Sequence, residues 1–301
     1  MSTPFDNALN RQSSLEFAAL QYLVIAKPYS SPRWGKFEDP ATGGVRAASW
    51  VGTTSIGNMA KSDGFGLNHA ISTTKVKTHG MAGPSRIIPF ERELVFPVMA
   101  QQTMKLSLEW FFGLDLSGVT PSAQRGIEFD IPDIPVGKPY RVAFVLRDSY
   151  DGLDHFIAYK GNKVQVDKVK AIKGADNDII GYGMDLIPLT DDGATSPLTY
   201  EEFGPGFKLL QERTDTGFYT LSALTVNPGG AVALSVGTPT QQLAITDNNS
   251  IDRTNVCTYS TSDPTKATVT PGGLVERVSA GSATITAAFR GVSVTKAVTV
   301  S

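Results

Sequence analysis

Apolar residues in this chain fall mostly on alternate positions, the spacing of strands with one buried face. In IIPFERELVFPVM, residues 87–99, Ile88, Phe90, Leu94, Phe96 and Val98 share one parity and Glu91 and Glu93 the other. Arg92 falls on the apolar parity and calls for a partner, while Pro89 and Pro97 suit strand ends or an edge. The next segment, AQQTMKLSLEWFFG, sets Leu106 and Trp110, and Met104 and Leu108, four apart before Gly113, which predicts a helix with a glycine stop; Leu106, Leu108 and Trp110 also alternate as a strand would. Val142, Phe144 and Leu146 alternate, as do Phe156 and Ala158, with Asp151-Gly152 between them as a hairpin signal. Gly161-Asn162 reads as a second tight turn into KVQVDKV, and Ile180, Tyr182, Met184 and Leu186 as a further strand.

Between these strands lies an irregular stretch, residues 29–50, with three prolines, a Gly-Gly pair and no apolar period. A loop of this length inside a domain is either a surface insertion or a contact for a partner. In the second case it is expected to be mobile in the free subunit, with Trp34, Phe37 and Trp50 as the anchors it offers. Composition shifts at QERTDTGFYT, residues 211–220, and the chain divides there into segments 1–220 and 221–301.

At 301 residues, 41% hydrophobic and 19% charged, with 29 Gly and 18 Pro, the chain is expected to form two domains of short strands, an all-β protein. The net charge of −2 argues against a basic surface built for nucleic acid. Before residue 223 there are 25 acids and 22 bases (−3), and after it 4 acids and 5 bases (+1). The single cysteine, Cys257, excludes an intrachain disulfide and a multi-cysteine zinc site. Residues 15–26 are the one stretch resembling a signal segment. They contain Glu16 and Gln21 and lack a basic flank and a cleavage motif, so synthesis in the cytoplasm is expected. No apolar run approaches the ~20 residues of a membrane span.

From Ala223 onward, LTVNP, VGTPTQQLAIT, YSTSDPTKATV and GLVERVSAGSATITA occur in the order of the bacterial immunoglobulin-like group 2 domains of surface adhesins, which this segment resembles. Tyr259 stands where that family usually has Trp, and its hydroxyl needs a partner. Val236, Leu243, Ile245, Val269, Val278, Ile285 and Phe289 sit at period-two positions between turn residues, as a two-sheet sandwich demands, and Gly273 and Gly281 fall at tight turns.

SIGNMAKSDGFGLNHAISTTKVKTHG, then PFERELVFPVMAQQTMKLSLEWFFG, then PYRVAFVLRDSYDGLDHFIAYKGNKVQVDKV resemble in order the major tail (tail tube) proteins of long non-contractile-tailed bacteriophages. That resemblance implies a β-sandwich or barrel subunit with one flanking helix. Six subunits would form a ring, and rings would stack into a tube through which double-stranded DNA passes. It also implies contacts with tail terminator, tape measure and baseplate proteins, location in the virion tail, no cofactor and no membrane. The C-terminal domain would decorate the outside, where weak contact with host-surface glycans is expected. A tube that passes DNA should have a neutral or acidic inner wall, and Glu91 and Glu93 are the candidate lumen-facing residues.

Two other readings stand beside this one: a cell-surface adhesin with an immunoglobulin-like spacer, and an enzyme with an appended sandwich. The sequence shows no nucleophile, base and orienter set. Asp148, Asp151, Asp154 and His155 cluster in RDSYDGLDH but lack the alternate carboxylates and closing Glu of a calcium loop, which favours a solvated hairpin turn. His69 and His79 are ten residues apart on one strand, too far for a shared ion.

Overall fold

Strands rich in Val, Ile, Phe and Tyr dominate the computed structural model, which describes residues 15–60, 64–172, 179–213, 216–218 and 220–301. Among the described residues there are two α-helices, α1 (Lys105–Phe112) and α2 (Pro205–Arg213), and the sheets are almost wholly antiparallel. The protein is all-β with a flanking helix and a sandwich. The chain forms two units, Phe17–Phe207 and Lys208–Ser301.

In the first unit the strand path runs β2 (Thr54–Ser55), β1 (Gln21–Pro28), β5 (Tyr140–Tyr150), β6 (Leu153–Val169), β7 (Tyr182–Pro188), β4 (Pro84–Ala100) and β3 (Asn68–Lys77). A bridge between Met59 and Ala100, with Ala60 N–H donating to the Met99 carbonyl, joins the β2 end of this path to β4. The closed circuit surrounds Val24, Phe96, Val142, Phe144, Met184 and Leu186, with Phe96 and Phe144 stacked at 4.0 Å. Helix α1 packs on this core through Leu106, Leu108 and Trp110 and ends at Gly113, whose φ of 62° is the left-handed cap that the sequence pattern calls for.

β5 is buried from Tyr140 to Leu146 because its other face is covered as well. There Ile25, Ala143, Val145, Ala158 and Phe203 of β1, β5, β6 and β8 (Leu198–Phe203) pack around Phe37. Asp151 and Gly152 join β5 to β6 with φ of 52° and 77°, the two positive values a tight hairpin requires.

The expected turn at Gly161-Asn162 is not a turn. Both residues lie inside β6, where the register against β5 shifts by one residue between Tyr140 and Val142. Glycine is needed there because a Cβ would meet the Val164 side chain at 2.4 Å.

The second unit is a sandwich of short strands in two main sheets, with a small one of β9 (Leu224–Asn227) and β12 (Ala244–Asp247). One contains β13 (Thr258–Thr261), β16 (Gly281–Phe289), β17 (Val292–Val300) and β10 (Val232–Leu234); the other contains β11 (Thr240–Gln242), β15 (Leu274–Arg277) and β14 (Ala267–Val269). Leu234, Leu243, Ile245, Val275, Ile285 and Val298 form its core, with Val269, Phe289 and Tyr259 packed against it. Val236 and Val278 depart from the expected core: they are 80% and 47% exposed, since both lie in turns between strands, where alternation no longer sets the facing. The Tyr259 hydroxyl donates to the Thr254 carbonyl at 2.9 Å, and burial pushes its pKa up to about 12. Gly273, with φ of 78°, leaves room for that ring, since a Cβ would lie 2.8 Å from the hydroxyl.

Candidate functional site

β4 is seventeen residues long, but only Phe96–Ala100 pairs with β7. Among the described residues, 84–93 pair with β3 alone, and every residue of this half of β4 and of β3 is exposed. A two-stranded ribbon is marginal in water, and its outer edges present unpaired N–H and C=O groups. Ile71, Ile87, Ile88 and Phe90 project from it as exposed apolar side chains, Phe90 being 67% accessible.

Glu91 and Glu93 lie on this ribbon, exposed, opposite Ser72 and Ala70. A bulge follows: Ser72 pairs with Glu91 but Thr73 with Pro89, so Phe90 is the extra residue. The single parity expected for Ile88, Phe90, Leu94, Phe96 and Val98 is therefore broken. Ile88, opposite Thr74, shares the face of the two glutamates, and burial begins only near Leu94. Arg92 faces Ile71 and forms no ion pair among the described residues.

Of the three anchors expected in residues 29–50, Phe37 is turned inward. Phe37 is fully buried in the subunit's own core, with the Trp34 ring edge-on at 5.4 Å and Trp50 at 6.2 Å. The Trp34 indole N–H donates to the Gly161 carbonyl at 3.2 Å, and the Lys27 ammonium lies 4.1 Å from the Trp34 ring centre.

Buried ion pairs from distant strands hold the loop backbone. Glu201 accepts the Phe37 and Glu38 amides at 2.8 and 3.0 Å and pairs with Lys160. Asp191 accepts from the Tyr29 hydroxyl, from Arg33 Nε at 2.7 Å and from Arg141 at 3.3 Å. The Tyr29 hydroxyl, then Arg33 and Arg141 acting against burial, hold the Asp191 carboxyl at about 2. Arg141, Lys160, Asp191 and Glu201 were missed in the sequence; the signal was there for two of them, a cation inside each of two apolar strands, but their acids lie 41 and 50 residues away.

The RDSYDGLDH side chains diverge. Asp148 accepts the Ala18 amide, Asp154 pairs with Arg147, and His155 is buried against Glu202 at 2.8 Å between the rings of Phe17 and Phe207. His69 lies in β3 and His79 in the turn beyond it, both exposed. Among the described residues no three His, Cys, Asp or Glu side chains are grouped to hold a metal ion, and no helix is long and apolar enough to cross a membrane. Compared with known proteins, the chain matches no family model and no curated protein.

Proposed function

We propose that this protein is a structural subunit that assembles with copies of itself into hexameric rings stacked as the tail tube of a long-tailed bacteriophage. The β3–β4 ribbon carries this reading. Among the described residues it has two free edges, exposed Ile and Phe side chains and no covering element, so a form paired with neighbours is the stable one. Closure of six such ribbons into one barrel would remove every edge. Glu91 and Glu93 would then contribute an acidic inner wall along which DNA slides, and the immunoglobulin-like unit would stand outside. Tail terminator, tape measure and baseplate proteins are the further partners of such a tube, and no catalytic step is assigned. Negative-stain electron microscopy of the purified protein tests the reading: rings or tubes with six-fold symmetry are expected, and a protein that stays monomeric at high concentration would sink it.

A further inference from the structure

Between α1 and β5 the chain runs from Gly113 to Tyr140 without regular structure, and its middle forms an arm. The arm is held at its ends: Ser122 N–H donates to the Gly126 carbonyl at 2.8 Å, and Val136 N–H to the Gly113 carbonyl at 2.6 Å. Phe129 packs near Phe112 at 6.2 Å. Among the described residues the main chain of 127–134 makes no hydrogen bond. Ile127, Ile131 and Ile134 are more than half exposed, and Glu128, Asp130 and Asp133 alternate with them, exposed and without an ion pair among the described residues. An irregular segment with free amides, apolar side chains and three negative charges has what a ligand for a groove requires.

A pocket of complementary charge lies on the same unit. It is a cavity of about 360 Å³ beside Trp34, lined by Lys27, Arg33, Lys36 and Arg46 and, among the described residues, by no acid. Arg33 is partly neutralised by Asp191 beneath it. Lys36 and Arg46 are exposed and form no ion pair among the described residues, and Val51, 78% exposed, gives the rim an apolar contact. Burial, and to a lesser degree the Arg141 charge nearby, lowers the Lys27 pKa.

The two features stand on opposite faces of the β1–β5 pair. Phe129 joins the arm to the core of Val24 and Phe144, whereas Lys27 shares the parity of Leu23 and Ile25, which pack with Phe37. Two complementary patches on opposite faces make a heterologous contact, which repeats from copy to copy and gives a ring where the rotation between copies closes.

We propose that the acidic arm, residues 126–136, of one copy docks in the Lys27, Arg33, Lys36 and Arg46 pocket of the next, an inference that rests on the self-assembly reading. Charge reversal with rescue tests it. E128K/D130K/D133K and K36E/R46E should each unfold at the wild-type temperature, remain monomeric and form no tubes, and the chain carrying all five changes should form tubes again. If a reversed variant does not fold, E128Q/D130N/D133N replaces it, with loss of tubes expected. Tubes from any of these arm or pocket variants taken singly, or no tubes from the five-fold chain, would overturn the docking. Capture of a short DNA duplex by the monomer, lost in K36E/R46E, would reassign the pocket to nucleic acid and likewise overturn it. A wild-type chain that forms neither rings nor tubes defeats the self-assembly reading itself.

Discussion

Glu201 holds three groups at once: the Lys160 ammonium and the amides of Phe37 and Glu38. Burial by itself would raise its pKa, but these donors outweigh burial and the net shift is downward. Glu201→Ala leaves the ammonium of Lys160, whose side chain is 6% exposed, without its counter-charge and with the Gly35 carbonyl as acceptor, and is expected to cost about 3–5 kcal/mol in denaturant unfolding. A loss below about 1 kcal/mol, the size of one ordinary hydrogen bond, would mean that the Gly35 carbonyl suffices for Lys160. Asp191 makes stability depend on acid. Its folded pKa of about 2 lies below the ~3.9 of an unfolded aspartate, so its contribution is complete above about pH 4 and is lost as pH falls from there to about 2. Asp191→Asn should flatten the stability curve across that window, and an unchanged slope would assign the acid sensitivity to other carboxylates.

At the scale of elements, the ribbon and the loop exchange the roles their sequences suggest. The loop, with no apolar period, is built into the subunit through Phe37. The ribbon, with regular alternation, has no core beneath it until Leu94. I87D/F90D is expected to leave the unfolding temperature of the isolated subunit within about 2 °C, because exposed positions contribute little to the folded monomer, and to abolish tubes. Normal tubes from this variant would place the ribbon outside the assembly. E91K/E93K should instead form tubes that eject poorly, seen as virions that adsorb without delivering DNA, because a basic wall binds the polymer it must release. Ejection at the normal rate would remove both residues from the inner wall.

At the scale of the whole molecule, the two units have separate cores, one around Phe96 and Phe144 and the other around Ile245 and Ile285. The second unit reaches back to Lys208, twelve residues before the composition shift ends at Thr220, because Arg253 donates to the carbonyls of Gln211 and Glu212 at the end of α2 while paired with buried Asp247. A chain ended after Thr220 keeps the first core entire and is expected to form tubes without an outer layer. Soluble protein that never assembles would show that the second unit takes part in assembly.

What the sequence determined by itself is what local chemistry controls. Alternation made the class all-β, Asp151-Gly152 set a hairpin, Gly113 ended a helix, and Tyr259 announced a hydroxyl that Thr254 satisfies. Tertiary structure alone decided which alternating faces are covered. Parity tells that two faces differ but not what lies against them, so Ile88 and Phe90 read like Phe96 although only Phe96 is buried. A one-residue bulge, which costs the sequence no visible mark, moved Ile88 to the face of Glu91 and Glu93. The Glu201–Lys160 and Asp191–Arg141 pairs were equally hidden, since charges so far apart in sequence become partners only when the strands carrying them are brought side by side.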